Sequence, residues 1–340
     1  MGIADIPTKF GPDLLIRTVL PGLIAFIIFF EPVIYPLIHN FWDALGSFED
    51  KLLVLLLGGF AIGLIFMFCD LYVYQLLEGL RFWPEFLWKW KYERMQRYFQ
   101  NLDEELKNLI RQKREESAEL SPTELERLSL KISKLSAKVR EFPPDFDKRN
   151  FTKRYPKRPT RFGNVLHEYE NYSENRYGIH MMVFGNHLSQ ILSPETKKEL
   201  ELGSAIADLC VYLCFISLLY VFLGPVALLF QKSSWIAVSN RMIPARSFLY
   251  LLFSILVFRF LYELSITRHK RYGRFVKSIF DIYRKDLADK LGIEINGTHY
   301  TSRKELEEEK ALWKQYQDYY LDYKFLKKKS KREKVSRKKH

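Results

Sequence analysis

Residues 52–77 are dominated by Leu, Ile, Val, Phe, Gly and Ala, and Asp70 is their only charge. A helix needs roughly 20 apolar residues to cross the hydrocarbon of a bilayer, and this run is long enough. It is apolar on every face, so it does not read as one side of a surface helix. The run predicts a membrane-spanning helix, and the rest of the chain is read around it.

Three further runs resemble it, at 14–38, 205–230 and 247–266. Long charged segments separate them, so grease and charge occupy different places. That segregation predicts an all-helical, polytopic membrane protein with four transmembrane helices. The expected division is a tail and two spans over 1–77, a helical cytoplasmic domain over 78–203, two spans within 204–267, and cytoplasmic helices with a basic tail over 268–340. Pro21, Pro32 and Pro36 predict a kinked first span. That run is too long for a signal-peptide core and is read as a retained anchor.

Lys and Arg fix the expected orientation. The 39–50 connection has Asp43, Glu49 and Asp50 but no Lys or Arg before Lys51, whereas the tail opens with Arg268, Lys270 and Arg271 and ends almost purely basic. The positive-inside rule puts both termini and the long central segment in the cytoplasm of a cell-membrane protein. Lys232, Arg241 and Arg246, in the second outer loop, argue the other way with less weight.

Threaded this way, Arg17, Asp70, Asp208, Arg259 and Glu263 fall at similar depth near the inner face. Charges in lipid are costly and tend to pair. Arg17 and Arg259 are expected to pair with Asp70, Asp208 or Glu263; separate snorkelling to the headgroups is the alternative. After the second span come Trp83, Trp88, Lys89, Trp90 and Lys91. Trp interleaved with Lys suits an interfacial helix against anionic headgroups.

Residues 101–141 are charged and poor in aromatics. Ser121-Pro122-Thr123-Glu124 is a helix start with a capping box. Leu125, Leu128, Ile132, Leu135 and Val139 then repeat at 3 and 4, a coiled-coil seam. Leu102, Leu106, Leu109 and Ile110 form a stripe on the helix before it, so a hairpin of two antiparallel helices is expected. A basic, Pro-punctuated loop follows through Lys153, Arg154, Lys157, Arg158 and Arg161. Phe275, Ile279, Tyr283, Leu287 and Leu291 extend the fourth helix as an amphipathic stretch. Leu306, Trp313, Tyr316, Tyr320 and Tyr323 form an aromatic stripe on a last helix. The terminal Lys-rich tail suits anionic lipid, with nucleic acid as the alternative.

Pro159-Thr160-Arg161-Phe162-Gly163-Asn164 leads to Glu170 and then to Tyr177-Gly178. A Gly-Asn pair, a Glu six residues after the Asn and a Tyr-Gly pair resemble a recurring pattern in uncharacterised prokaryotic four-span membrane proteins. Asp70 followed by Tyr74, Glu78, Gly79 and Pro84 is similar to an earlier element of that family. Phe184-Gly185-Asn186-His187-Leu188 departs from its later aromatic-and-Pro element. The resemblance implies shared architecture and no particular activity.

No His-Glu-x-x-His, P-loop or Gly-x-Ser-x-Gly occurs. His167, Glu170, His180 and His187 lack the spacing that puts two metal ligands on one helical turn. Cys69, Cys210 and Cys214 lie in apolar runs and read as small packing residues. Neither catalytic residues, a cofactor nor a metal is expected. The expectation is a membrane-anchored scaffold or sensor with an unidentified cytoplasmic protein partner and scope for homo-oligomers. The alternatives are an oligomeric ion channel or pore and a membrane-tethered nucleic-acid-binding protein.

Overall fold

The computed structural model describes residues 14–29, 34–116, 120–142, 158–230, 243–295 and 304–318. The 1–13 tail, Glu31 and Pro32, the basic loop over 143–157, the 231–242 loop, Asn296-Gly297, and Tyr320, Tyr323 and the Lys-rich tail lie outside them. The described residues are helical, with no strand among them. Among the described residues two helices are long and apolar enough to cross a membrane, Phe48–Glu78 and Pro194–Leu223; Leu15–Phe29 is a shorter apolar helix. Of the first apolar run, residues 14–29 and 34–38 are described, and both stretches are helical. A π-turn over Leu15–Val19 leads into α1 (Leu20–Phe29), and α2 (Tyr35–Ala44) follows.

Helix α3 (Phe48–Glu78) starts at Ser47, whose hydroxyl accepts the Asp50 N–H at 3.1 Å. Glu49 and Asp50 in its first turn complement the helix dipole. It stops at Gly79, whose φ of 79° is the left-handed conformation that glycine tolerates. Only 17% of its most apolar stretch is buried. A core helix of a soluble protein would be mostly covered. Here Leu53, Leu57, Ile65, Phe68 and Leu71 remain exposed.

The buried stripe of α3 is glycine-rich. A Cβ on Gly22 of α1 would strike Gly59 and Gly63 of α3, and one on Gly63 would strike the Thr18 carbonyl. The two backbones therefore touch, as small residues four apart allow in helix pairs within lipid.

The chain forms two compact units, residues 1–166 with 201–272, and residues 167–200 with 273–340. The division falls inside the central segment rather than at its ends, because two long helices, Pro194–Phe230 and Ile243–Leu291, each contribute to both units.

In the first unit α4 (Glu85–Glu115) joins the aromatic stretch after Gly79 and the first hairpin helix into one helix. Its seam runs through Tyr92, Met95, Phe99, Leu102, Leu106 and Leu109, and it meets Leu128, Ile132, Leu135, Val139 and Phe142 of the following segment. Phe99 meets Phe142 with centroids 5.0 Å apart, while Lys113 donates to Ser129 at 2.9 Å. Early residues of α4 thus meet late residues of α5 (Pro122–Val139), so the pair is antiparallel. Ile110 is exposed rather than part of the seam. The capping box at Ser121 and Glu124 is present, with both reciprocal bonds made.

In the second unit α6 (Arg161–Glu170) ends, and α7 (Tyr172–Tyr177) and α8 (Met181–Ile191) pack with the end of the 243–291 helix and the 304–318 helix. Ile279, Phe280 and Leu287 are buried, and Trp313 is fully buried against Phe184 at 5.3 Å between centroids. The expected aromatic docking face is therefore used, at Trp313 and Tyr316, by the chain itself.

Candidate functional site

Polar groups gather where α1, α3, the 194–230 helix (α9) and the 243–291 helix (α10) come together in the first unit. Arg17 sits in the π-turn, where the carbonyl of Leu15 accepts from the Leu20 N–H. π-Turns are rare and recur at functional positions. The Arg17 guanidinium reaches both acids: Nη2 is 3.2 Å from Asp70 Oδ2, and Nε is 2.9 Å from Asp208 Oδ2.

Two tyrosines complete the carboxylates. Tyr74 donates to Asp208 Oδ1 at 2.5 Å, and Tyr212 donates to Asp70 Oδ1 at 2.8 Å. Each tyrosine lies four residues after an aspartate on its own helix and binds the aspartate of the other. That exchange requires α3 and α9 to run antiparallel. Phe66 supports the same register, stacking on Tyr212 at 5.8 Å and meeting Phe215 edge-on at 6.1 Å.

His269 of α10 closes the group. Its Nε2 is 3.1 Å from the Tyr74 hydroxyl, and its Nδ1 is 3.0 Å from the Ser265 carbonyl oxygen. Phe162 covers the ring edge-on at 5.0 Å. His269 lies beyond the 247–266 run and is 2% exposed, and burial pushes its imidazole down to about 4.

The five charges expected in one layer thus fall into two groups. Arg17, Asp70 and Asp208 are brought together. Arg259 pairs with Glu263, one of the partners expected for it, one turn along its own helix at 3.1 Å. Glu263 also takes Arg161, which bonds Glu141 at 2.9 Å, and Lys270 pairs with Glu141. Arg161, from another helix, thus supplies Glu263 with a second cation.

The family-like residues divide similarly. In the first unit, Glu78 pairs with Arg158, a Cβ on Gly79 would meet Pro159, and a Cβ on Gly163 would meet the Glu78 carbonyl at 2.9 Å. The two stretches that carry the resemblance therefore touch. Asn164, beside Gly163, is buried. In the second unit, Tyr177 donates to Asp281 at 2.5 Å and Tyr172 donates to the same carboxylate at 2.8 Å. Arg176 donates to the Tyr172 hydroxyl at 2.8 Å. Burial, then the bond to Asp281, pushes Tyr172 up to about 12 and raises Tyr177 as well. Gly178 ends α7 with φ 77°, and a Cβ there would strike the Lys310 carbonyl. Glu170 is exposed. Asp281 thus ties α7 to the 243–291 helix through both tyrosines.

Trp83 donates to the Leu76 carbonyl at 2.9 Å, closing the end of α3, and Trp88 stacks on Tyr92 at 5.2 Å. Phe82, Phe86 and Trp90 are exposed at successive fourth positions, with Lys89 also exposed. Arg94 lies over the Trp90 ring at 5.7 Å. Lys91 is half-buried, and that burial, with Arg94 and Arg259 nearby, lowers its pKa. Among the described residues no three His, Cys, Asp or Glu side chains gather as metal ligands.

Tyr212 and His269 are members of the site that charge patterning does not find. A repeated Asp-x-x-x-Tyr, at Asp70–Tyr74 and Asp208–Tyr212, is the signal that points to the tyrosines. In comparisons with known proteins no family model matches the chain, and no curated protein and no solved structure matches it significantly.

Proposed function

We propose that this chain is a four-span membrane protein whose cytoplasmic helices form a platform for a protein partner or signal. The spans are 14–38, 52–77, 205–230 and 247–266, with both termini in the cytoplasm. One observation carries the reading: the apolar faces of α3 stay open, while Asp70 and Tyr74, both partly buried, join Arg17 and Asp208 in one polar cluster. Lipid is the solvent that suits both facts, because it accepts the open faces and makes unpaired charge costly. Phe82, Phe86, Trp90 and Lys89 suit the interface where the helix would emerge, against anionic headgroups. Kinship with uncharacterised prokaryotic four-span proteins is part of the proposal and is supported by the contact of Glu78 and Gly79 with residues 158–163.

The test is extraction and labelling in cells. The chain should stay with the membrane through alkaline washing. Single cysteines placed in 101–141 should react only after the cell is opened. Release into the wash, or labelling from outside, would sink the topology. Crosslinking before detergent extraction should then recover a distinct partner or a second copy.

An ion path is the second reading, favoured by Arg17, Asp70 and Asp208 lying together among apolar helices. No helix has the repeated polar lining of an aqueous pore, which places it second. Flux through proteoliposomes that disappears with Asp208→Asn would reverse the order.

A further inference from the structure

The Asp208–Tyr74–His269 chain has more hydrogen-bond contacts than its ordinary protons can fill. Oδ1 to Oη at 2.5 Å and Oη to Nε2 at 3.1 Å each need a proton between them. With Asp208 a carboxylate and His269 neutral, the chain holds one phenol proton and one imidazole proton. The imidazole proton is taken at Nδ1, because the Ser265 carbonyl oxygen 3.0 Å away can only accept. Moving it to Nε2 would leave two lone pairs facing each other at Nδ1. The Tyr74 proton is then left alone to serve two contacts.

Charge leads to the same count independently. Arg17 faces the chain from the π-turn, Asp70 from α3, Ser204 and Tyr212 from α9, and Ser265 and Tyr272 from α10. Of these and the chain itself, Arg17 contributes +1, and Asp70 and Asp208 contribute −1 each, a sum of −1. A net charge held away from water is strongly disfavoured. One added proton makes the group neutral.

The geometry points to a proton-binding site: Asp208, Tyr74 and His269 share one proton beyond the complement of a carboxylate, a phenol and a neutral imidazole. In one arrangement Asp208 is a carboxylic acid donating to Tyr74 Oη, and Tyr74 donates to Nε2. In the other, Tyr74 donates to the carboxylate, and an imidazolium Nε2–H donates to Oη. They interconvert when a proton passes from Oδ1 to Oη as the Tyr74 proton passes from Oη to Nε2; no other bond changes. Burial of the imidazole favours the first. The charge argument rests on the membrane reading, whereas the hydrogen-bond count does not. The site would give the platform a proton to lose: as pH rises through its midpoint, the group goes from neutral to −1.

The experiment uses the full wild-type chain in detergent micelles at neutral pH, with nitrogen-15 histidine and infrared spectroscopy. His269 is assigned by His269→Gln or, if that variant does not fold, by the one histidine signal that moves in Asp208→Asn. Expected is a neutral His269 with its proton on Nδ1, together with a buried carboxylic-acid band that Asp208→Asn removes. An imidazolium at His269 with that band missing supports the proposal equally, since the proton count is the same. A carboxylate at Asp208 with neutral His269 overturns it, whichever nitrogen carries the proton. Loss of the chain from the membrane fraction would defeat the platform reading and leave this proton count standing.

Discussion

Tyr212 bonds Asp70 across two helices at 2.8 Å, and Tyr74 bonds Asp208 in the opposite sense at 2.5 Å. The two bonds are one motif used twice. Each helix offers an acid and, one turn later, a phenol, and antiparallel packing sets acid against phenol on both sides. A slip of one turn would break both bonds together, so the pair fixes the register of α3 on α9. Arg17 then fits between two acids that are already held.

Arg17→Gln should be the most damaging single change at this cluster. It leaves Asp70 and Asp208 together without their cation, at a cost of about 1–3 kcal/mol for a pair that is only partly buried. Thermal unfolding in detergent should show a marked drop in midpoint. Adding Asp70→Asn to that variant should recover part of it, and a further loss in the double variant would contradict the charge-matching account.

The contact of α1 with α3 makes a separate prediction. A side chain at Gly63 must displace the Thr18 carbonyl. Gly63→Val should cost about 3 kcal/mol, the upper part of the usual range for overpacking. Gly46→Ala, where a Cβ meets nothing within 4 Å, is the control and should leave the midpoint unchanged.

Trp313 offers a test of the second unit. It is fully buried against Phe184, and its indole donates to Glu309 at 3.1 Å. Trp313→Ala should cost about 3–5 kcal/mol by loss of buried volume. Trp313→Phe keeps most of the ring and should cost about 1 kcal/mol for the lost hydrogen bond. Proteolysis of the segment after residue 273 should rise in the first variant and hardly change in the second.

Alkaline pH should loosen the same unit. Tyr172 is raised from 10 to about 12 by burial and its bond to Asp281. A raised pKa means that the folded state holds this proton more tightly than the unfolded chain. The stabilisation is complete below pH 10 and is lost as pH climbs from 10 towards 12. Denaturant midpoints across that window should fall in the wild type and fall less in Tyr172→Phe.

Exposed aromatics predict contact with lipid. Trp90 stands with Phe82 and Phe86 on an open face just past Gly79. In bilayers containing brominated lipid, part of the tryptophan fluorescence should be quenched, and Trp90→Phe should remove part of that quenching. Equal quenching in the variant would place this face away from the headgroups.

The helical class was readable from hydropathy and spacing, because a long apolar run and a 3-and-4 seam are local properties. The capping box at Ser121 is local too. The acids of the cluster were legible because charge inside a greasy run stands out. Arg259 with Glu263 was within the expected pairs, but that Arg17 would reach both Asp70 and Asp208, and that Arg161, a hundred residues earlier in the chain than Arg259, would share Glu263, was not legible. His269 looked like one more residue of a basic tail until the fold set it beside Tyr74. Such partners depend on helix register, which single-chain patterning does not encode.

The π-turn at Leu15–Val19 amounts to one surplus residue taken up inside a helix. Removing Thr18 or Val19 would restore ordinary winding and turn Arg17 about the helix axis by about 100°. Arg17 would leave the gap between the acids although its neighbours in sequence barely changed. A one-codon deletion at this turn is therefore a sharper lesion than many substitutions, because it can swing the cation away while every side chain of the cluster is still encoded.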